Sequence, residues 1–220
     1  LCRIGADVKT RHGFTEHWRH CNIRQIETVG KCPAMNIQSQ PRFDKSTFFS
    51  WVAHQERRFE LVGGKAMMLP YVKRNHQKIS SNLLLALGSK LDLSKFNVAG
   101  GDFAIETGEN SVRFADIMVE LAGGPGDGMT AVDALLLVEV LSPSTAATDF
   151  GDKVREYLAL PTLGTYLICA QDARRVWVWT RGETGWPEQP EVIEDPAASI
   201  RIPALDLSLT LEAIYRHVDL

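Results

Sequence analysis

Long apolar runs are missing from this chain. Nowhere do consecutive hydrophobic residues approach the roughly 18 that cross a bilayer, and the N-terminus has no basic segment leading into an apolar one. Membrane insertion and secretion are not expected, and a membrane is not among the expected partners. Cysteine is also scarce: Cys2, Cys21 and Cys32 crowd the beginning, and Cys169 lies alone in an apolar stretch. This is no disulfide scaffold, and a reducing cytoplasm fits. His17, His20 and Cys21 are too bunched for the paired spacing of a zinc module. Net positive charge is absent as well. Twenty-four Lys/Arg stand against 27 Asp/Glu, giving −3, so any polyanion must be met by a local patch or through a bound metal ion. Gly100-Gly101 and Gly123-Gly124-Pro125-Gly126 match neither a P-loop nor a dinucleotide fingerprint. Ser142, Ser144 and Thr145 lack the glycines of a nucleophile elbow and read as loop and cap residues.

What remains is an ordinary globular composition, 45% hydrophobic and 23% charged over 220 residues, enough for one well-buried core. Residues 1–34 show no helical or strand period and hold six Lys/Arg against three Asp/Glu. They read as a disordered or non-native extension before a start-like Met35, with one domain over residues 35–220. A helix is predicted over residues 46–54, and a hairpin turning at Gly63-Gly64 between residues 59–61 and 66–69. Ile79, Leu83, Leu84, Leu87 and Leu91 recur at helical spacing after Asn75, a candidate cap. Residues 103–106, 112–121 and 134–141 read as strands, the last a central one covered on both faces. Residues 149–160 read as a helix, residues 165–170 and 174–180 as a hairpin about Gln171-Asp172-Ala173, and residues 209–218 as a last short helix. The fold class is mixed α/β (α+β), a central mixed sheet flanked by helices.

Glu139 interrupts Leu135-Leu136-Leu137-Val138 and Val140-Leu141. A bare carboxylate in an apolar strand costs several kcal/mol, so it must be neutralised, ion-paired or bound to metal. Asp116 follows Val112 and Phe114 at period two and precedes Met118. If the two strands are neighbours, the two carboxylates converge in the hard-oxygen environment that Mg²⁺ or Mn²⁺ takes. Lys153, one loop beyond Glu139 in the sequence, is the candidate positive group for an attacking water or a developing phosphate charge. An ordinary surface pair four residues away is its other reading.

These residues resemble a known family. Phe59-Glu60-Leu61-Val62-Gly63-Gly64 ahead of Pro70 and His76, Phe114-Ala115-Asp116-Ile117, Val138-Glu139-Val140-Leu141-Ser142-Pro143-Ser144-Thr145, and Asp149…Lys153…Tyr157 resemble the Uma-two family of restriction-endonuclease-like proteins, a branch of the PD-(D/E)XK nuclease superfamily. The resemblance covers roughly residues 59–214. It implies a restriction-endonuclease-like fold, an Mg²⁺- or Mn²⁺-dependent endonuclease activity, metal ligation by Asp116 and Glu139, and catalysis with Lys153. In the superfamily the lysine stands two residues after the Glu; Leu141 occupies that place here, and Lys153 looks like a migrated replacement. Glu60, His76 and Tyr157 are supporting candidates, His76 by contacting phosphate or capping its helix. DNA is the expected partner, with Arg57, Arg58, Lys73, Arg74 and Lys78 as candidate backbone contacts, and a homodimer is an open alternative. The usual Asp-Gly-Glu hairpin tip of the family reads Gly63-Gly64-Lys65 here. The rival readings are a turnover-free binding module of the same fold, and an unrelated scaffold whose acids and lysine form a buried salt-bridge network.

Overall fold

The computed structural model describes residues 42–142 and 146–220. The predicted extension, residues 1–34, lies outside them, as do Pro143, Ser144 and Thr145. Every described element belongs to one unit, Gln40–Leu220. Helix α1 (Lys45–Val52) starts where Asp44 accepts a hydrogen bond from the Thr47 N–H at 2.7 Å. It seats Phe48 against Leu61, Ala104 and Val112. Strands β1 (Phe59–Val62) and β2 (Lys65–Met68) form an antiparallel hairpin. Its turn needs φ of 55° at Gly63 and 82° at Gly64, a conformation most side chains resist. Helix α2 (Arg74–Lys90) follows. Its cap residue is Lys73, not Asn75, whose side chain instead donates to the carbonyls of Gln171 and Asp219.

Strands β3 (Phe96–Gly100), β4 (Ala104–Gly108), β5 (Ser111–Arg113), β6 (Ile117–Leu121), β7 (Thr130–Ala131) and β8 (Ala134–Leu141) come next. The single strand expected over residues 112–121 is therefore two. β5 lies in a five-stranded sheet ordered β2-β1-β5-β4-β7, β6 in a six-stranded sheet ordered β11-β10-β9-β8-β6-β3, and the chain crosses between them at residues 114–116. In the sequence the alternation of Val112, Phe114 and Met118 runs straight through this break, so the pattern alone does not reveal it.

After β8 come α3 (Ala146–Thr148), a π-helical turn over Asp149–Lys153, and α4 (Val154–Leu158). β9 (Thr165–Ala170) pairs parallel to β8, and β10 (Val176–Thr180) and β11 (Glu191–Ile193) continue antiparallel. A hairpin of β12 (Ser199–Ile202) and β13 (Leu207–Thr210) leads into α5 (Leu211–Ile214), shorter than predicted because Leu209 is still in the strand. The six-stranded sheet is mixed and central, with both faces covered. Leu136, Val138 and Val140 of β8 meet Ile79, Leu83 and Leu87 of α2 on one side. Leu137 meets Tyr157, Leu163 and Tyr166 on the other. No helix among the described residues is long and apolar enough to cross a membrane.

Candidate active site

Strand pairing brings the two predicted acids together. β6 and β8 run antiparallel with Ile117 opposite Val138, so the next step of that register sets Asp116 across from Glu139. Asp116 is not inside a strand, as expected, but in the bend just before β6. Freed from the ladder, its Oδ2 accepts from the Val140 N–H at 2.7 Å and lies 3.1 Å from His76 Nε2. Glu139 shares the Leu137 face of β8 and points toward α4, since successive strand residues alternate. Its Oε1 accepts from Lys153 Nζ and from the Tyr157 hydroxyl, both at 2.9 Å.

Lys153 reaches Glu139 through the π-helical turn. A widened turn of this kind re-aims side chains and is frequent at functional sites. It buries both Asp149 and Lys153. Nζ lies 3.3 Å from Asp149 Oδ1 and 3.5 Å from Glu60 Oε1, besides Glu139. The i,i+4 pair that could have sat on the surface is thus buried inside an acidic cluster. Burial pulls the Lys153 pKa down, but Glu139, Glu60 and Asp149 outweigh it, and the ammonium is held well above its ordinary value. Glu139 moves up. Its burial disfavours the anion, Lys153 offsets part of that, and Asp116, Asp149 and Glu60 add repulsion. Burial and the neighbouring Glu139 likewise raise the Tyr157 phenol, so it stays a donor.

Glu60, on β1, is buried. It accepts from Arg113 Nη1 at 3.0 Å and from the Phe114 N–H at 3.2 Å. Arg113 and Glu156 were not predicted, and Asp149 entered only as part of the Asp149…Lys153…Tyr157 motif, not as a site residue. The Arg113 guanidinium is 1% exposed and forks onto Glu156 with bonds of 2.8 and 2.7 Å. Burial works against its charge, but Glu156 and Glu60 prevail and raise its pKa. The available signals were a cation between Val112 and Phe114, and acids four residues before and three after Lys153.

His76 is 6% exposed and neither caps its helix nor faces open solvent; it is turned onto Asp116. Its Nδ1 is buried without a hydrogen-bond partner. The five basic candidates part company. Arg58 lines the cleft, pairs with Asp102 at 3.0 Å and bonds the Gly101 carbonyl. Arg57 lies over the Tyr71 ring, 4.6 Å from its centre. Lys73 and Arg74 are exposed at the start of α2, whereas Lys78 turns away to His217 and Asp219.

Asp116, Glu139 and Lys153 line one cleft of about 50 Å³, with Arg58, Tyr71 and His76 on its walls. Among the described residues no three or more His, Cys, Asp and Glu side chains are grouped as a metal cage. Two carboxylates, one on β8 and one in the bend before β6, are nevertheless a donor set Mg²⁺ commonly takes, because it keeps several of its waters. The local charge agrees. Glu139, Asp149 and Glu60 share one lysine and Asp116 adds repulsion on Glu139, an excess of negative charge that a cation would relieve.

The family profile described as "Putative restriction endonuclease", Uma2, matches residues 46–212. The chain belongs to this family. A curated relative, the "Uncharacterized protein slr1290" of Synechocystis sp., is 26% identical over 182 residues, which are 80% of this chain and 93% of that protein. The crystal structure of "a putative nuclease belonging to DUF820" from Anabaena variabilis superposes with a TM-score of 0.64 at 18% identity, covering 79% of this chain and 97% of that one. At that identity the likeness shows the fold, which is restriction-endonuclease-like. Membership of the Uma2 family supports a nuclease-like function.

Proposed function

We propose that this chain is a metal-dependent endonuclease that hydrolyses DNA phosphodiester bonds in the cleft of Asp116, Glu139 and Lys153, with Mg²⁺ or Mn²⁺ held by the two carboxylates. The observation that carries this reading is Lys153. It is 14 residues beyond Glu139 in the chain, yet its Nζ lies 2.9 Å from Glu139 Oε1 in a cleft that Asp116 also lines. This supports Lys153 as the migrated lysine; a scaffold held by a buried salt-bridge network would show the same pair, and it is the family match that weighs against an unrelated scaffold. When bound, the ion would polarise the scissile phosphate and acidify water. The chain's own part is to place charge. Asp116 is fixed by the Val140 N–H and His76, Glu139 by Tyr157 and Lys153. Lys153, kept cationic by its acids, supplies a preorganised positive group for the charge developing on phosphate, or orients the water.

A turnover-free module of the same fold is the second reading, favoured by the small cleft and by carboxylates that already have protein partners. Incubation with supercoiled plasmid and with oligonucleotides, in Mn²⁺, in Mg²⁺ and in chelator, separates the two. Metal-dependent cleavage that vanishes in Asp116→Asn and Glu139→Gln is expected. No cleavage of any DNA by folded wild-type protein would favour the binding module, and undiminished cleavage by both variants would place the chemistry elsewhere.

A further inference from the structure

The floor of the cleft is acidic, but its rim is not. Met67-Met68-Leu69-Pro70-Tyr71-Val72-Lys73-Arg74 runs from the end of β2 into the first residue of α2 without one acid. Among the described residues β2 is an edge strand, paired to β1 alone. Met67 is 50% exposed, Met68 60% and Tyr71 81%. Of these, Tyr71, with Pro70 and the 46% exposed Val72, lines the cleft itself, and apolar surface left in solvent at a site normally marks a binding surface. Tyr71 lines the same cleft as Asp116, Glu139 and Lys153, so whatever it binds is held beside the proposed chemistry.

The surrounding charge identifies the occupant. The Arg57 guanidinium lies over the Tyr71 ring at 4.6 Å and Arg58 shares the cleft wall. Lys73 and Arg74 are exposed next along the chain. An aromatic ring largely in solvent, with cations on both sides along the sequence, suits an unstacked nucleobase and its flanking phosphates. A second copy of this chain fits less well. A two-fold contact would set the patch against itself, bringing Arg57, Lys73 and Arg74 toward their own copies. In a paired duplex the base faces are buried in the stack and beyond the reach of Tyr71 without flipping.

We infer that the 67–74 segment is a base-stacking platform centred on Tyr71, which holds an unpaired base of single-stranded DNA beside the scissile phosphate. The inference rests on reading the cleft as a nuclease site, and it selects single-stranded over fully paired DNA as substrate.

The test is binding of a 2-aminopurine oligonucleotide to the full chain in chelator, where turnover does not interfere, single-stranded and annealed to its complement. Fluorescence quenching on binding reports stacking, and anisotropy reports affinity. Wild type should bind the single strand more tightly and quench it. Tyr71→Ala should weaken single-strand binding by roughly tenfold or more and lose the quench. Tyr71→Trp should keep both. The ring is exposed, so the melting temperature of Tyr71→Ala should stay close to wild type, and melting curves check this. Unchanged binding by folded Tyr71→Ala, or equal affinity for single strand and duplex, overturns the platform. So does a Tyr71→Ala protein that changes sedimentation from dimer to monomer with DNA binding intact, which would assign the patch to a second copy. The two readings fail separately. Stacking that depends on Tyr71 without cleavage in Mn²⁺ would remove the nuclease and keep the platform. Metal-dependent duplex cleavage indifferent to Tyr71→Ala would remove the platform and keep the nuclease.

Discussion

Two ionic clusters meet at Glu60 and behave oppositely. On one side Arg113 lies between Glu60 and Glu156, one rigid fork serving two carboxylates with bonds of 2.7 to 3.0 Å. On the other, Lys153 is shared among Glu139, Asp149 and Glu60, with Asp116 also acting on Glu139. Glu156 pays some desolvation, but its bonds to Arg113 and Thr107 hold it below the usual carboxylate range. Glu139, fully buried among acids, is pushed above it. The same two kinds of side chain give opposite protonation behaviour because the number of cations per acid and the access of water differ. A satisfied cluster is a brace. An acid-rich one keeps a repulsion between its carboxylates that a bound cation would relieve.

The largest expected effect is on chemistry at the acid-rich cluster alone. Lys153→Ala should lower DNA cleavage by about 10²- to 10³-fold, the range for losing one preorganised charge-stabilising group, while single-turnover assays with pre-bound DNA show the loss in the cleavage step. A Lys153→Ala protein that cleaves at the wild-type rate would erase the distinction between the clusters. Next comes stability at the brace. Arg113→Met strands Glu60 and Glu156 and should cost about 3–5 kcal/mol, the usual result of breaking a buried pair from one side. Urea unfolding measures it, and adding Glu60→Gln and Glu156→Gln should recover most of the loss. A cost below about 1 kcal/mol for the single change would mean that Arg113 is not a brace.

The pH dependence should have opposite signs. Glu139 has a folded pKa above its unfolded one, so its contribution is full below the unfolded value and is lost as pH rises through the folded value. Glu156 has a folded pKa below its unfolded one; its contribution is present above the unfolded value and is lost as pH falls through the folded value. In metal-free protein Glu139→Gln should therefore raise the melting temperature at alkaline pH more than at acid pH, whereas Glu156→Gln should lower it at neutral pH and matter least in acid. Mn²⁺ should raise the wild-type melting temperature most at neutral pH, and less in acid where protons compete. If both Asp116→Asn and Glu139→Gln keep the full Mn²⁺ shift, the ion sits elsewhere. The smallest effect sharpens the lysine assignment. Leu141 shares the Glu139 face of β8 and packs with the core that contains Tyr157, so Leu141→Lys should return a fraction of the activity lost in Lys153→Ala. A folded double variant no better than the single one would speak against migration.

The sequence by itself determined the elements that bury a face: the α2 stripe, the glycine hairpin, the two-sided β8 strand and the β9–β10 hairpin. Each follows from a local period or a turn residue. It also singled out Asp116 and Glu139, because a charge in an apolar setting needs an explanation wherever the chain goes, while Lys153 was singled out by the family motif. Only the tertiary structure decided that residues 112–121 divide between two sheets, since the alternation of Val112, Phe114 and Met118 in the sequence does not say which sheet each half joins. It also decided which acid faces which base. Arg113 is 53 residues from Glu60 and 43 from Glu156, and no local pattern encodes a pairing across such distances. His76 on Asp116, Lys78 turned toward the end of the chain and Tyr71 at the mouth of the cleft are of the same kind. Helix and strand arise from interactions a few residues apart, but the balance of charge in a buried site depends on every element that closes around it.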